Sequence, residues 1–134
     1  AIADDSGLEV DALGGRPGVY SARYAGPGAT DADNNAKLLR ELAGSAEPRT
    51  ARYRAVIVHV AAAEDPRPVV ASGTWEGAIA LAPRGDGGFG YDPLFLVGTG
   101  RLTAAELDAE EKNRVSHRAH ALRELVARLR TARG

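Results

Sequence analysis

Asp4-Asp5-Ser6-Gly7 follows directly on the apolar Ala1 to Ala3. Adjacent residues on a strand point to opposite faces, so the two carboxylates serve different purposes. One of them suits a hard cation such as Mg²⁺, which prefers carboxylate and water oxygens, or can take a proton from an attacking water. The same four residues would equally suit a strand-ending turn in which Asp and Ser bond local backbone. A second cluster runs from Gly85 to Asp92, with glycine at 85, 87, 88 and 90 and with Phe89 and Tyr91 between them. Glycine lets a backbone approach a ligand closely. The two aromatic rings could stack on a nucleobase or simply anchor the loop to the core. The third cluster spans Glu110 to Arg118. If Ser116 caps a helix, His117 and Arg118 fall in its first turn, where basic residues oppose the helix dipole, and that conflict suggests that they serve a ligand. Arg118 stands four residues before Leu122 and so leans toward the buried face. Lys112 stands out in a chain that carries 15 arginines and two lysines. His59 and His120 read as ordinary strand and helix residues.

These clusters need a scaffold, and the pattern is α/β. Ala1 to Ala3 reads as the end of one strand. Leu8, Val10 and Ala12 alternate with other residues as a second, closed by a turn over Gly14 to Gly18. A helix is expected over about Asp33 to Ala43, capped by Asp31 or Asp33, stopped by Gly44, and apolar at Leu38, Leu39 and Leu42. Arg52 to Ala62 reads as a strand covered on both faces. Asp65 to Pro68 is a turn, and Val69 to Leu81 is one or two strands interrupted by Gly73 and Gly77. Residues 83 to 93 are irregular, and Leu94 to Val97 is a short strand. Thr103 to Glu106 is a capping box that starts a helix. Ser116 caps a last helix whose apolar stripe is Leu122, Leu125, Val126 and Leu129. With no internal repeat or linker, the chain reads as a single domain.

With 134 residues, the chain can bury a core without disulfides or metal. It has no cysteine, which excludes a disulfide framework, a zinc finger and a thiol nucleophile and favours a reducing, cytoplasmic setting. No apolar run is long enough to cross a membrane. The net charge of −1 gives no overall basic footprint for nucleic acid, although residues 112 to 134 carry one Lys and six Arg against Glu124 alone. Methionine is absent, and a strand-like segment stands at the first residue, which points to a chain without its N-terminal part.

Taken together the motifs resemble the inosine triphosphate pyrophosphatase family, which hydrolyses aberrant purine nucleoside triphosphates such as ITP, dITP and XTP. The matching stretches are Ala3 to Leu8, Gly14 to Tyr24, Gly87 to Phe95, Thr103 to Leu107, and Glu111-Lys112-Asn113 with Ser116-His117-Arg118, in family order and spacing. The resemblance implies a mixed central β-sheet flanked by helices, a homodimer, and Mg²⁺ as cofactor. It implies that this is the C-terminal two-thirds of one domain, because a Thr/Ser-x-Asn-x-x-Lys phosphate motif and a Glu-Asn-Ala segment are missing. Asp5 would be proton acceptor and metal ligand, and Ser6 would touch the nucleotide. Phe89, Gly90, Tyr91 and Asp92 would form one wall of a base pocket, and Lys112, His117 and Arg118 the other. Two rivals stay open: a catalytically inactive nucleotide-binding or dimerising piece, and a related pyrophosphatase acting on pyrimidine triphosphates.

Overall fold

The computed structural model describes residues 2–60, 68–97 and 102–133. Ile2–Val10 forms β1 and Pro17–Gly18 forms β2; Asp31–Glu41 is helix α1. Thr50–His59 is β3, Val69–Ile79 is β4, Phe95–Val97 is β5 and Leu102–Thr103 is β6. Helices α2, Ala109–Val115, and α3, His117–Arg133, complete the chain. Three single-turn 3-10 helices lie at Asp11–Leu13, Ser21–Arg23 and Ala104–Glu106.

The strands make one sheet in the order β2-β1-β3-β4-β5-β6. All pairings among the described strands are antiparallel, where a mixed sheet is expected. Asp4 to Gly7 is not a turn but the middle of β1, paired through Val56 and Ala55 to β3. Ala12 belongs to a 3-10 turn rather than to a strand. In β3 burial alternates, with Ala51, Tyr53, Ala55 and Ile57 inward and Arg52 and Arg54 on the other face. That face is polar because Arg52 pairs with Asp11 and Glu76, and Arg54 with Glu9, so β3 is not covered on both sides. The first three residues of the turn expected over 65–68 and the last two residues of the strand expected over 52–62 lie outside the described residues.

Helix α1 starts where Thr30 Oγ1 accepts the Asp33 N–H at 3.1 Å while the Asp33 carboxylate accepts the Thr30 N–H at 3.0 Å. This reciprocal cap is Thr30's work, not that of Asp31. Leu38 and Leu42 are fully buried against Leu8, Val10, Tyr53, Trp75, Ile79 and Phe95. Each such leucine contributes about 1.5–3 kcal/mol by leaving water.

Helix α3 covers the other end of the same sheet face. Ala121 and Leu125 pack with Ala55, Ile57 and Ala71. The expected stripe fails at Leu122 and Val126, which are 53% and 39% exposed. The reason is Gly73 in β4. A methyl group there would overlap Ala121 N and His117 O and reach within 2.8 Å of His120 Cβ. The helix backbone therefore rests directly on the strand, and small Ala121 takes the place a larger residue could not. Gly73 does not interrupt β4; it is the seat of α3. Thr103 does cap a helix, but only one 3-10 turn; Asp108 then caps α2 by accepting the Glu111 N–H at 2.7 Å. Helix α2 buries none of its residues.

Candidate functional site

A cavity of about 640 Å³ opens between the start of α1, the glycine-rich segment, α2 and the first turn of α3. Ser6, Phe89, Gly90, Tyr91, Asp92, Lys112, His117 and Arg118 all line it. From Ser6 to Arg118 these residues span more than a hundred positions of the chain, and the fold brings every one of them to one place. Asp5 does not line it. Along β1, Asp5 faces away from Ser6 and opens on a neighbouring depression of about 100 Å³ with Glu9, Val19, Arg54 and Val56; Ser6 and Gly7 border both. The Asp5 carboxylate accepts the Ser6 N–H at 2.9 Å. A larger groove of about 930 Å³, beside Pro48, Ala78 to Ala82 and Leu96, contains none of the expected site residues.

Asp92 organises the cavity. It is 4% exposed. Its Oδ1 accepts the Tyr53 hydroxyl at 3.0 Å, and its Oδ2 accepts the Phe89 N–H at 3.1 Å and Lys112 Nζ at 2.5 Å. A buried carboxylate is tolerable only with such partners. Burial, with the Asp92 charge next, pushes the Tyr53 phenol well above its usual range, so it stays a donor. Gly88 is what lets Lys112 reach: a Cβ there would overlap Asp92 Oδ2 and lie 3.0 Å from Lys112 Nζ.

Phe89 is 60% exposed. Lys112 Nζ lies 4.7 Å from its ring centroid and the Arg118 guanidinium carbon 5.5 Å. Both distances are within cation–π range. Arg118 therefore does not lean toward the buried face; it is exposed, like Leu122 one turn on.

His117 is buried by the geometry that seats α3. Ser116 Oγ accepts the Ala119 N–H at 3.2 Å and fixes the helix start, as expected. The imidazole stacks on Tyr53, with centroids 4.7 Å apart, and on Trp75 at 6.4 Å. Its Nε2 shares a 2.5 Å hydrogen bond with Ser6 Oγ. That bond ties β1 to α3 across the cavity floor. His59 and His120 stay outside the cavity, in accord with their plain reading.

Residues 1–128 match the Ham1 family. The chain belongs to the Ham1 family. It is 62% identical over 136 residues to the dITP/XTP pyrophosphatase of Methylococcus capsulatus, a match covering 100% of this chain and 67% of that protein. It is 60% identical over 133 residues to the dITP/XTP pyrophosphatase of Ralstonia nicotianae, covering 97% of this chain and 66% of that one. Among solved structures, a HAM1 protein from Coxiella burnetii superposes with a TM-score of 0.91 at 49% identity, covering 98% of this chain and 67% of that chain. The chain thus spans about two thirds of the length of these relatives.

The sequence reading misses part of the Ham1 cavity. Asp31 and the buried Asn34 also line it. Asn34 Oδ1 accepts the Ala25 N–H at 2.8 Å and its Nδ2 donates to the Ala22 carbonyl at 3.1 Å. Tyr53 and Ser21 are further linings. Ser21 Oγ accepts the Leu8 N–H and donates to the Gly18 carbonyl, and the Tyr91 hydroxyl donates to the Ser21 carbonyl at 2.6 Å. A polar pair within an otherwise helical stretch, Asn34-Asn35, is the one local signal that could have pointed to these contacts. Nothing local marks Tyr53 or Ser21. Among the described residues no group of three His, Cys, Asp or Glu could hold a metal ion. No described helix is long and apolar enough to cross a membrane.

Proposed function

We propose that this chain carries the base-recognising part of an enzyme that hydrolyses aberrant purine nucleoside triphosphates, ITP, dITP and XTP, to the monophosphate and pyrophosphate. The reading rests above all on one observation: two cations flank an exposed phenyl ring at the mouth of a cavity whose floor is a buried carboxylate and an imidazole. Phe89 stacks on the base. Lys112 has three donor protons and gives one to Asp92, so the others can meet a 6-keto oxygen. Arg118 offers further donors on the same side. Adenine presents an amino donor there, which leaves these groups unpaired and can cost a factor of about 10⁴. The names of the relatives support the same substrate class.

In the reaction Asp5 takes a proton from a water whose oxygen attacks the α-phosphorus. The bond to the bridging oxygen breaks, and pyrophosphate leaves. Asp5 fits Mg²⁺ as a single-carboxylate ligand, which is how that ion is often held when substrate phosphates supply other oxygens. When bound, the ion neutralises and orients the phosphates. The chain acts in the cytoplasm as a homodimer and is the C-terminal two-thirds of the domain. Asp5→Asn should abolish turnover and leave binding of inosine monophosphate intact; retained turnover would refute the assignment.

A second reading has its own observation. Asp5 opens on a separate depression, and among the described residues no group of three His, Cys, Asp or Glu could hold a metal ion. By itself the chain would then bind the nucleotide without cleaving it. Titration with inosine monophosphate, alongside an assay of pyrophosphate release from ITP, separates the two.

A further inference from the structure

A base-stacking ring is useful only if it is held still, and nothing in Gly87-Gly88-Phe89-Gly90 makes the segment stiff. Packing does not hold Phe89, which is largely exposed. The stiffness comes from its backbone and from α1. Asp92 Oδ2 holds the Phe89 N–H. Asp31 Oδ2 accepts the next N–H, that of Gly90, at 2.9 Å. Asn35 Nδ2 donates to the Gly90 carbonyl at 2.9 Å and to the Asp31 carbonyl at 2.8 Å. Three consecutive peptide groups around the ring are thus fixed, two of them by one turn of one helix.

Neither α1 residue has the job its position suggests. Thr30, not Asp31, caps the helix. Asn34, not Asn35, secures the preceding loop. Asn35 Oδ1 is buried with no hydrogen-bond partner among the described residues. An unsatisfied buried acceptor is costly, so a residue present only for stability would be apolar here. What Asn35 supplies is its donor.

We infer that Asp31 and Asn35 are positioning residues: they hold Gly90 so that the Phe89 ring stands ready for a purine base, and they set nucleotide affinity without touching the phosphorus chemistry. The inference rests on the function proposed above. The test uses the parent protein with Asn35→Asp, Asp31→Ala, Asp31→Asn and Phe89→Ala. Three quantities are read: the dissociation constant of inosine monophosphate by calorimetry, kcat and KM for ITP, and the melting midpoint. Asn35→Asp replaces the donor by an acceptor oxygen facing two carbonyls and should raise KM and the dissociation constant about tenfold, with kcat within about twofold. Asp31→Ala should match it, and Asp31→Asn, which still offers an acceptor, should rescue. Asp31 is exposed, so its pair of variants carries the test even if the Asn35 variant folds poorly. Unchanged affinity in Asp31→Ala while Phe89→Ala loses it would overturn this inference alone. So would a fall in kcat matching the rise in KM. A parent that neither binds inosine monophosphate nor cleaves ITP would overturn the functional reading, and this inference with it.

Discussion

Replacing Gly73 by alanine tests how α3 is held and what depends on it. The added methyl would overlap the main chain of α3 at Ala121 N and His117 O and come within 2.8 Å of His120 Cβ. Ordinary contact begins near 3.4 Å, so the helix must withdraw by roughly 1 Å. It cannot turn a side chain aside, because the obstacle is its own backbone. Overpacking costs about 1–3 kcal/mol, and a rigid obstacle belongs at the upper end. For a chain of this size that is a fall in melting midpoint of roughly 10 °C. The same withdrawal acts on the site, since His117 opens α3 and its 2.5 Å bond to Ser6 would not survive a 1 Å shift. Thermal melts followed by circular dichroism and by Trp75 fluorescence, with inosine monophosphate titrations at low temperature, read both effects. A midpoint within 2 °C of the parent would refute the argument, as would lost stability with unchanged affinity.

Other outcomes follow from the same structure. Phe89→Ala should leave the melting midpoint within about 2 °C, because the ring is exposed, yet raise KM for ITP about tenfold, since a stacked base is worth about 1–3 kcal/mol. Lys112→Met leaves Asp92 buried without its cation and should destabilise by about 2 kcal/mol in urea titrations, less than a fully buried pair because Lys112 is partly exposed. Arg118→Ala should narrow the preference for ITP over ATP more than it weakens phosphate binding, as steady-state kinetics on both substrates would show. Among the described residues four carboxyls are held below their usual range: Asp11 by Arg52, Asp33 and Glu106 by backbone N–H groups of Thr30 and Thr103, and Glu124 by the Ser72 N–H. Each binds a proton more readily in the unfolded chain. Their stabilisation is therefore whole above about pH 5 and lost as pH falls through the lowered values, which urea midpoints between pH 7 and 2.5 would trace.

Much of the site was legible because its residue types are unusual where they stand. Aromatics between glycines and cations at a helix start both conflict with local structure, and both turned out to face the cavity. The start of β4 at Val69 and the capping of α3 by Ser116 also followed from local rules, although β4 runs unbroken and ends at Ile79, not Leu81. What failed depended on distant packing. Leu122 and Val126 fit a helical stripe, but Gly73 rotates α3 so that Ala121 and Leu125 face inward. The apolar second half of the strand expected over 52–62 suggested cover on both faces, yet the Arg52 network makes the outer face polar. Asp31, like Asp33, looked like a cap because aspartate favours a helix start, and only the folded chain shows Gly90 arriving at its carboxylate.

The two sides of the cavity differ in stiffness. Arg49 is buried, and its guanidinium donates to the Leu42 carbonyl at the end of α1 and to the carbonyls of Ile79, the last residue of β4, and Ala80 just after it. That locks α1 to the sheet, so the jaw carrying Asp31 and Asn35 moves only with the whole molecule. The opposite jaw is α2, seven residues laid on the surface with none buried and joined to the floor through Lys112 and Asp92. Segments with so little buried apolar contact open first. Entry of a ligand is thus a yielding of α2 against a fixed anvil, and amide exchange along residues 109–115 should be the first to slow when a nucleotide binds.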